Sequence, residues 1–555
     1  MIPTGTWRWA AAAAVIVAGI AALPPPAAGP GPVSRQPRRN TISGAFHVHT
    51  NRSDGAGSIE DVAAAAGRAG LDFLVLTDHG DGRRMPEAPA YRSGVLVIDG
   101  VEISTTGGHY AVVGMARSPY PLAGEARDVV EDVARLGGFG VVSHGDSPDP
   151  ELRWTNWTQE IEALEWLNLG TAWRQATGIQ IARASIGYWF RPPETLALPM
   201  ARPVAMLDRL DRLSRIRRVI NLAATDAHGP LPRSYEACFR TITTRLELDT
   251  PLDGHASADA RTVIAALRAG RHYTVVDALG TPTTFEFAGR RDGTVIRPGD
   301  IVPEGSSLTL DAHVAGLRGT TLTLLRDGSV VHETADSRMS YQADGRPAAY
   351  RLEVRSSNAP GNPPIPWILS NPIFVGIPAP VSPDPLLPAA TRVDLTDPGA
   401  PRFVWHTEAD RASVATLTEV AWEDRPALGV RFTLGDGQPR SQFVALVLPV
   451  PPELVTHDRL TFRAWASVPL RLSVQLRQRG HANPPRWRRS VYLDQTPRPA
   501  AIVFDDMTPV PPNVVPALSR TSIGDLLLVL DTTNTAPGTT GEIVFTDLAL
   551  ERSQK

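Results

Sequence analysis

At 555 residues the chain exceeds one ordinary domain, and roughly two to four domains are the natural expectation. Its formal charge of -3, from 55 basic and 58 acidic residues, gives no electrostatic reason to expect nucleic acid, whose binding needs a concentrated basic surface. Lys555 is the sole lysine and Cys238 the sole cysteine. An internal Schiff base, a phosphate-loop lysine, an internal disulfide and thiolate metal ligation are therefore all excluded.

From the N-terminus, Arg8 precedes an apolar stretch, Ala10 to Leu23, closed by Pro24-Pro25-Pro26 and the small residues Ala27-Ala28-Gly29. The run is short for a membrane span, which needs about 20 apolar residues, and suits a signal-peptide core. Residues 1–28 are expected to be an export signal, or an N-terminal anchor if uncleaved, which puts the protein in the periplasm or outside the cell. Membrane contact is expected only through this segment. Residues 29–42, rich in Pro, Gly and Arg, are expected to form a flexible leader.

From Ala45 onward strand-like and helix-like runs alternate. Strands are predicted at Ala45–Thr50, Phe73–Thr77, Val95–Ile103, Tyr110–Gly114, Gly140–Ser143, Ile161–Leu167 and Val219–Ala224. Helices are predicted at Ile59–Ala69, capped by Ser58 with Glu60 and Asp61 in the first turn, at Glu125–Leu136, and at Pro203–Arg217. Such alternation implies a parallel sheet or barrel with helices outside, whose post-strand loops gather at one mouth.

The histidines fall at those strand ends. His47 and His49 stand in FHVHTNRSDG, where i and i+2 share a strand face; Asp54 follows in the same segment. His79 stands in VLTDHG, with Asp78 expected to orient a ligand histidine; Glu102 lies amid apolar neighbours, where a lone buried carboxylate is costly without a cation. His109 follows Gly107-Gly108, which also fits a plain hairpin turn. His144 follows Val141-Val142-Ser143, and Asp226-Ala227-His228 repeats the i, i+2 spacing. Glu165 fits either an orienting partner or an ordinary core carboxylate. Imidazoles and carboxylates are ligands for zinc, manganese or iron, so nine such groups on one repeating framework predict a metal centre. The expected ligands are His47, His49, Asp54, His79, Glu102, His109, His144, Asp226 and His228. Asp54, His79, Asp226 and His228 are also expected to serve catalysis. Arg52, Arg83, Arg84 and Arg183 are candidate phosphate binders.

Beyond about residue 285 the pattern turns to short alternating strands. Ser307–Val314, Thr321–Leu325, Val330–Thr334 and Tyr350–Arg355, with an Asp327-Gly328 hairpin turn, predict a small Ig-like sandwich over 286–377. A proline-rich linker, 378–400, leads to a jelly-roll-like sandwich over 401–553. There Trp405, Trp422 and Trp487 are either core or aromatic contacts for an extracellular glycan, in the manner of a carbohydrate-binding module.

These motifs together resemble the PHP (polymerase and histidinol phosphatase) domain. Its series of His-x-His with a downstream Ser-Asp-Gly, Thr-Asp-His, a strand-end Glu, His, Ser-His and Asp-x-His is matched in order over about residues 43 to 280, with the barrel domain expected over 43–285. The resemblance implies a distorted seven-stranded (βα)7 barrel holding two or three divalent ions (Mn, Zn or Fe). It would place His47, His49, Glu102 and Asp226 on one ion, Glu102, His109 and His144 on a second, and Asp54, His79 and His228 on a third. The exported, sandwich-tailed layout is similar to the branch that includes the carbaryl hydrolases. The implied activity is hydrolysis of a small phosphate ester by activated water. The alternatives are a carboxylic ester, carbamate or amide on the same centre, and a glycan-binding protein with a structural metal cluster.

Overall fold

The computed structural model describes residues 41–80, 86–115, 123–378, 388–396, 403–422, 425–437, 442–480, 484–510, 518–532 and 535–554. The expected signal and leader up to residue 40, together with Arg83 and Arg84, lie outside these residues. The chain divides into two compact units. Of the described residues, one comprises 41–79, 86–115 and 136–378; the other comprises 80, 123–135 and those from 388 onward.

In the first unit β1 (Thr41–Val48) leads through α1 (Ile59–Ala69) to β2 (Phe73–Leu76). α1 starts where Ser58 and Asp61 close a reciprocal capping box and stops at Gly70, whose φ of 81° only glycine adopts without strain. After β3 (Ala90–Arg92), the predicted strand 95–103 is two pieces, β4 (Val95–Asp99) and β5 (Val101–Thr105), parted at Gly100. A Cβ there would meet the Val112 carbonyl oxygen at 2.5 Å. β4 pairs in parallel with β2, while β5 turns into an antiparallel hairpin with β6 (Gly108–Val113).

The segment then continues through β7 (Phe139–Val142), β8 (Ala163–Asn168) and β9 (Ile220–Ala224), which pair in parallel. β10 (Thr243–Glu247) and β11 (His272–Val275) return antiparallel beside β1. Antiparallel β6 and β10 correct the expectation of a uniformly parallel sheet; the hairpin at Gly108 leaves no room for a crossover helix. Two parallel bridges, Val48–Ala227 and His79–Glu102, lace the β1–β2–β4 sheet to the β5–β9 sheet. Phe46, Phe73, Val75, Ile98, Ala111, Val141 and Leu222 fill the interior.

Two further helices of this unit lie after β9: Ser234–Thr241 and Ala256–Ala269. The strands expected of the small sandwich form at 308–315, 320–326, 329–334 and 348–356, with φ positive at both Asp327 and Gly328, as a tight hairpin turn requires. One of its layers is continuous with the preceding sheet, since Ile368–Ser370 pairs with β11.

In the second unit two six-stranded sheets enclose an aliphatic core including Leu446, Leu472, Leu476, Leu528 and Phe545. Ala389–Asp394, inside the stretch expected to be a linker, is a strand paired with the chain's last strand, Thr540–Ser553. Trp487 is buried in the core and Trp405 packs against it, so both take the core alternative. Trp422 is half-buried against Trp465, ring centres 5.6 Å apart. The helix predicted at 125–136 forms as α2 (Ala126–Arg135), and it belongs to this unit. Its Asp128 and Asp132, with Glu125 just before it, bond Arg489, Arg471 and Ser490 of the sandwich.

Candidate metal centre

His47 ends the regular part of β1, and its backbone turns to φ 65°. The β1–β2 register slips between Ala45 and Val48. The two imidazoles of His47-Val48-His49 therefore converge through a kink, with Nε2 atoms 3.1 Å apart, not through the simple pleat expected from their spacing. His144 (φ 31°) and Asp226 (φ 47°) are bent likewise. Non-glycine residues at positive φ cost about 1–3 kcal/mol each and gather where a site needs its side chains aimed.

Glu102 sits at the centre. Its Oε2 lies 3.2 Å from His47 Nε2, 3.3 Å from His49 Nε2 and 3.4 Å from His79 Nδ1. Its Oε1 lies 2.9 Å from His144 Nε2 and 3.2 Å from His109 Nδ1. Asp226 Oδ1 is 3.5 Å from His47 Nε2 and 3.6 Å from His49 Nε2. Asp54 joins the remaining histidines: 3.2 Å from His49 Nδ1, 3.2 Å from His228 Nε2 and 3.5 Å from His79 Nε2. All nine side chains named as ligands thus meet at one place, and four overlapping triads of them have the spacing to hold an ion.

The chemistry of the donor set fits divalent cations. Two donors about 2.0–2.2 Å from one tetrahedral ion stand about 3.3–3.6 Å apart, the separation seen here. His79 Nδ1 is buried without a hydrogen-bond partner. In three histidines the nitrogen turned away from the cluster is held: His47 Nδ1 by Glu165 at 2.6 Å, His144 Nδ1 by the Leu152 carbonyl at 3.1 Å, His228 Nδ1 by the Asp226 carbonyl at 2.9 Å. Each far N–H donates, so Nε2 is the nitrogen turned to the carboxylates and the one that would ligate a metal once the imidazole gives up its second proton.

Glu165 resolves into an orienting partner. Besides His47 it accepts the His144 backbone N–H at 2.7 Å and Asn168 Nδ2 at 2.8 Å. Asp78, expected to orient a histidine, instead accepts the Thr50 backbone N–H and hydroxyl, the Ser53 hydroxyl and Arg52, and so holds the 50–53 turn. Arg52 is corrected too: it is clamped by Asp78 at 2.8 Å and Asp99 at 2.6 Å, and is committed to them. Arg183 is exposed on a helix outside the cluster.

Two residues went unnoticed in the sequence. α3 (Leu169–Arg174) starts beside Asp226, and any side chain at Gly170 would strike Asp226 Oδ2 at 2.2 Å. Arg174, from the end of this helix, puts Nη1 3.2 Å from Asp226 Oδ2 while its side chain stays 36% exposed. No local pattern distinguishes this arginine from the others in the chain.

The carboxylates dominate the field at the buried histidines. Burial pushes the His47 imidazole down, but Glu102, Glu165 and Asp226 outweigh it and hold it well above its ordinary value. Burial likewise opposes charge at His49, yet Asp54 and Glu102 raise it to about 9. Burial would raise Glu102, Asp226 and Asp54; the surrounding histidines pull all three below the usual carboxylate range.

No family model matches the chain, and no curated protein matches it. Among solved structures it is similar to a two-domain protein from Bacteroides vulgatus containing a predicted PHP-like metal-dependent phosphoesterase. That likeness has 16% identity, covers 60% of this chain and 95% of the other, and has a TM-score of 0.30. It is also similar to the family 11 carbohydrate-binding module of cellulase Lic26A-Cel5E of Clostridium thermocellum, at 13% identity over 30% of this chain and 98% of that one, TM-score 0.25. A family 30 module of cellulase Cel9D-Cel44B from the same organism is 11% identical over 28% and 94%, TM-score 0.22. At such identities the chemistry must be argued from the side chains themselves.

Proposed function

We propose that this chain is an exported metal-dependent hydrolase of the PHP type that cleaves a phosphate ester. The observation carrying the reading is Glu102, whose two oxygens face separate groups of histidines as a carboxylate bridging two cations would. Strands β1, β2, β4–β5, β6, β7, β8 and β9, laced by their two bridges, suit a distorted seven-stranded barrel with this site at its mouth.

His47, His49, Glu102 and Asp226 would hold one cation, His109 and His144 with Glu102 a second, and Asp54, His79 and His228 a third. Bound divalent ions supply Lewis acidity and make water acidic enough to act near neutral pH. The chain supplies the rest. Glu165 fixes the His47 tautomer and, through the His144 backbone N–H, the approach of a second ligand. Asp54, whose side chain is half exposed, would take a proton from attacking water. The same carboxyl would return that proton to the leaving oxygen, and His79 and His228, both touching Asp54, would hold it in position.

Arg174 favours phosphate over a neutral ester. Its exposed guanidinium beside Asp226 offers donors to a non-bridging phosphate oxygen, which a carbamate or carboxylic ester lacks. The test is turnover of chromogenic phosphomonoester, phosphodiester, carboxylic ester and carbamate substrates by protein loaded with Mn, Zn or Fe. Phosphate-ester turnover lost in both His47→Ala and Asp226→Ala is expected. Turnover of esters or carbamates alone would replace this reading with the carbonyl one.

A further inference from the structure

The connection from β8 to β9 carries a helix, α4 (Gly178–Gly187), that is apolar on its solvent side. It buries Ala184 and Gly187. Ile179 is 64% exposed and Ile181 50%; just past the helix, Trp189 is 68% and Phe190 55% exposed. Leu231, half exposed, lies in the adjoining loop, where Tyr188 Oη donates to the Pro232 carbonyl. Single exposed apolar residues need no explanation, but four large ones within twelve positions do.

Shape and charge narrow the occupant. At about 100° per residue, exposed Ile179, Ile181, Ala182, Arg183 and Ser185 fan over more than half of the helix circumference, a convex face and not the wall of a cleft. Of the arginines here, Arg174 pairs with Asp226 and Arg191 with Glu194, which leaves Arg183 as the charge of the exposed arc. Arg183 stands one turn from Ile179, on the exposed arc. A convex strip of Ile, Trp and Phe with only positive charge complements an anionic lipid surface. The apolar groups enter the boundary between headgroups and acyl chains, and arginine meets lipid phosphate.

We propose that α4, with Trp189 and Phe190, docks the protein on an anionic membrane surface. The loop it touches follows His228, and Arg174, on the preceding helix, meets Asp226, so the docking face borders the mouth of the candidate metal centre. The proposal does not depend on the hydrolytic reading.

The test uses the chain from Thr41 onward, which keeps every described residue and removes the apolar run 10–23 that would bind lipid by itself. It is sedimented with phosphatidylcholine vesicles, with and without phosphatidylglycerol. Sedimentation is expected with the anionic vesicles, weakened by salt. The double variant Trp189→Ser/Phe190→Ser should lower the partition at least about tenfold. Its thermal midpoint should be unchanged, because both side chains are exposed. Arg183→Gln should remove most of the preference for phosphatidylglycerol. Failure of the parent protein to sediment, or equal sedimentation of the double variant, overturns the proposal. So does light scattering that finds a dimer in the parent and a monomer in the double variant, since a second copy would then be the occupant.

Discussion

The Glu165–His47 contact permits the sharpest test of the metal centre, because Glu165 itself reaches no cation. Both side chains are 0% exposed and their atoms are 2.6 Å apart, a charge-assisted bond. Replacing carboxylate by amide in Glu165→Gln keeps an oxygen for His47 Nδ1–H but removes the charge. A charge-assisted bond contributes about 1.5–3 kcal/mol and a neutral one about 1 kcal/mol. The loss of about 1–2 kcal/mol agrees with the 10- to 100-fold weakening usual when the partner of a ligating histidine is changed. The amide also turns its NH2 toward two donors, the His144 backbone N–H and Asn168 Nδ2. One unmet buried donor costs about 1–3 kcal/mol of stability.

Calorimetric titration of Mn or Zn into metal-free protein should therefore show the same number of ions bound more weakly, and urea denaturation a lower midpoint. Glu102→Gln, which alters the shared carboxylate itself, should instead reduce the number of ions bound, counted by elemental analysis after dialysis. Unchanged affinity in Glu165→Gln, or full occupancy in Glu102→Gln, would refute the arrangement.

Arg174→Ala should raise KM for a phosphate ester about tenfold or more and leave any slow turnover of a neutral ester unaltered; equal effects on both would mean that it only steadies Asp226. In metal-free protein His49, raised to about 9 from 6.5, contributes stability fully present below pH 6.5 and lost as pH climbs through 9. The depressed Asp54 and Asp226 contribute above the ordinary carboxylate range and lose that contribution on acidification. The metal-free denaturation midpoint should accordingly fall between about pH 7 and 10. Metal added near neutrality should release protons, measured by calorimetry in buffers of different ionisation enthalpy; a flat midpoint and no proton release would contradict both. Away from the site, buried Arg351 binds Asp211 at 2.7 Å and also contacts Glu353. Arg351→Ala should destabilise the first unit by about 3–5 kcal/mol in urea denaturation, and a loss below about 1 kcal/mol would show the pair to be dispensable.

What was legible in the sequence was whatever an apolar run announces. Phe73–Leu76, Phe139–Val142 and Ile220–Ala224 end within a residue or two of a histidine or acid, so the strand ends and the polar cluster could be read together. The alternation in Leu308–Ala315, buried at every second residue, marked that strand equally well. Hidden features depended on partners far along the chain. Arg52 looked free because Asp78 and Asp99 are 26 and 47 residues away. The acidic side of the helix after β6 is matched to arginines more than 300 residues later. α4 gave no helical signal for a different reason: over Ile179–Ile186 apolar residues are interleaved with Gln180, Arg183 and Ser185, and no 3.6-residue period stands out.

The positive φ values explain why strand geometry alone misdescribes this site. A regular pleat would aim His47 and His49 to one side but leave Val48 and the preceding core positions fixed in register with β2. The observed kink lets Ala45 and Val48 stay buried in their cluster while His47 swings its Nε2 within 3.5 Å of both Glu102 and Asp226. His144 and Asp226 bend at the ends of β7 and β9 to the same effect. Three such residues cost about 3–9 kcal/mol together, comparable to the whole stability of many domains. Without cations part of the compensation must come from the imidazolium–carboxylate contacts, and bound metal would add to it. The strain therefore implies that metal-free protein is softer at these three strand ends than elsewhere in the first unit. Amide exchange at Val48, Gly145 and Ala227 should slow more on metal addition than exchange in α1 or in the 348–356 strand.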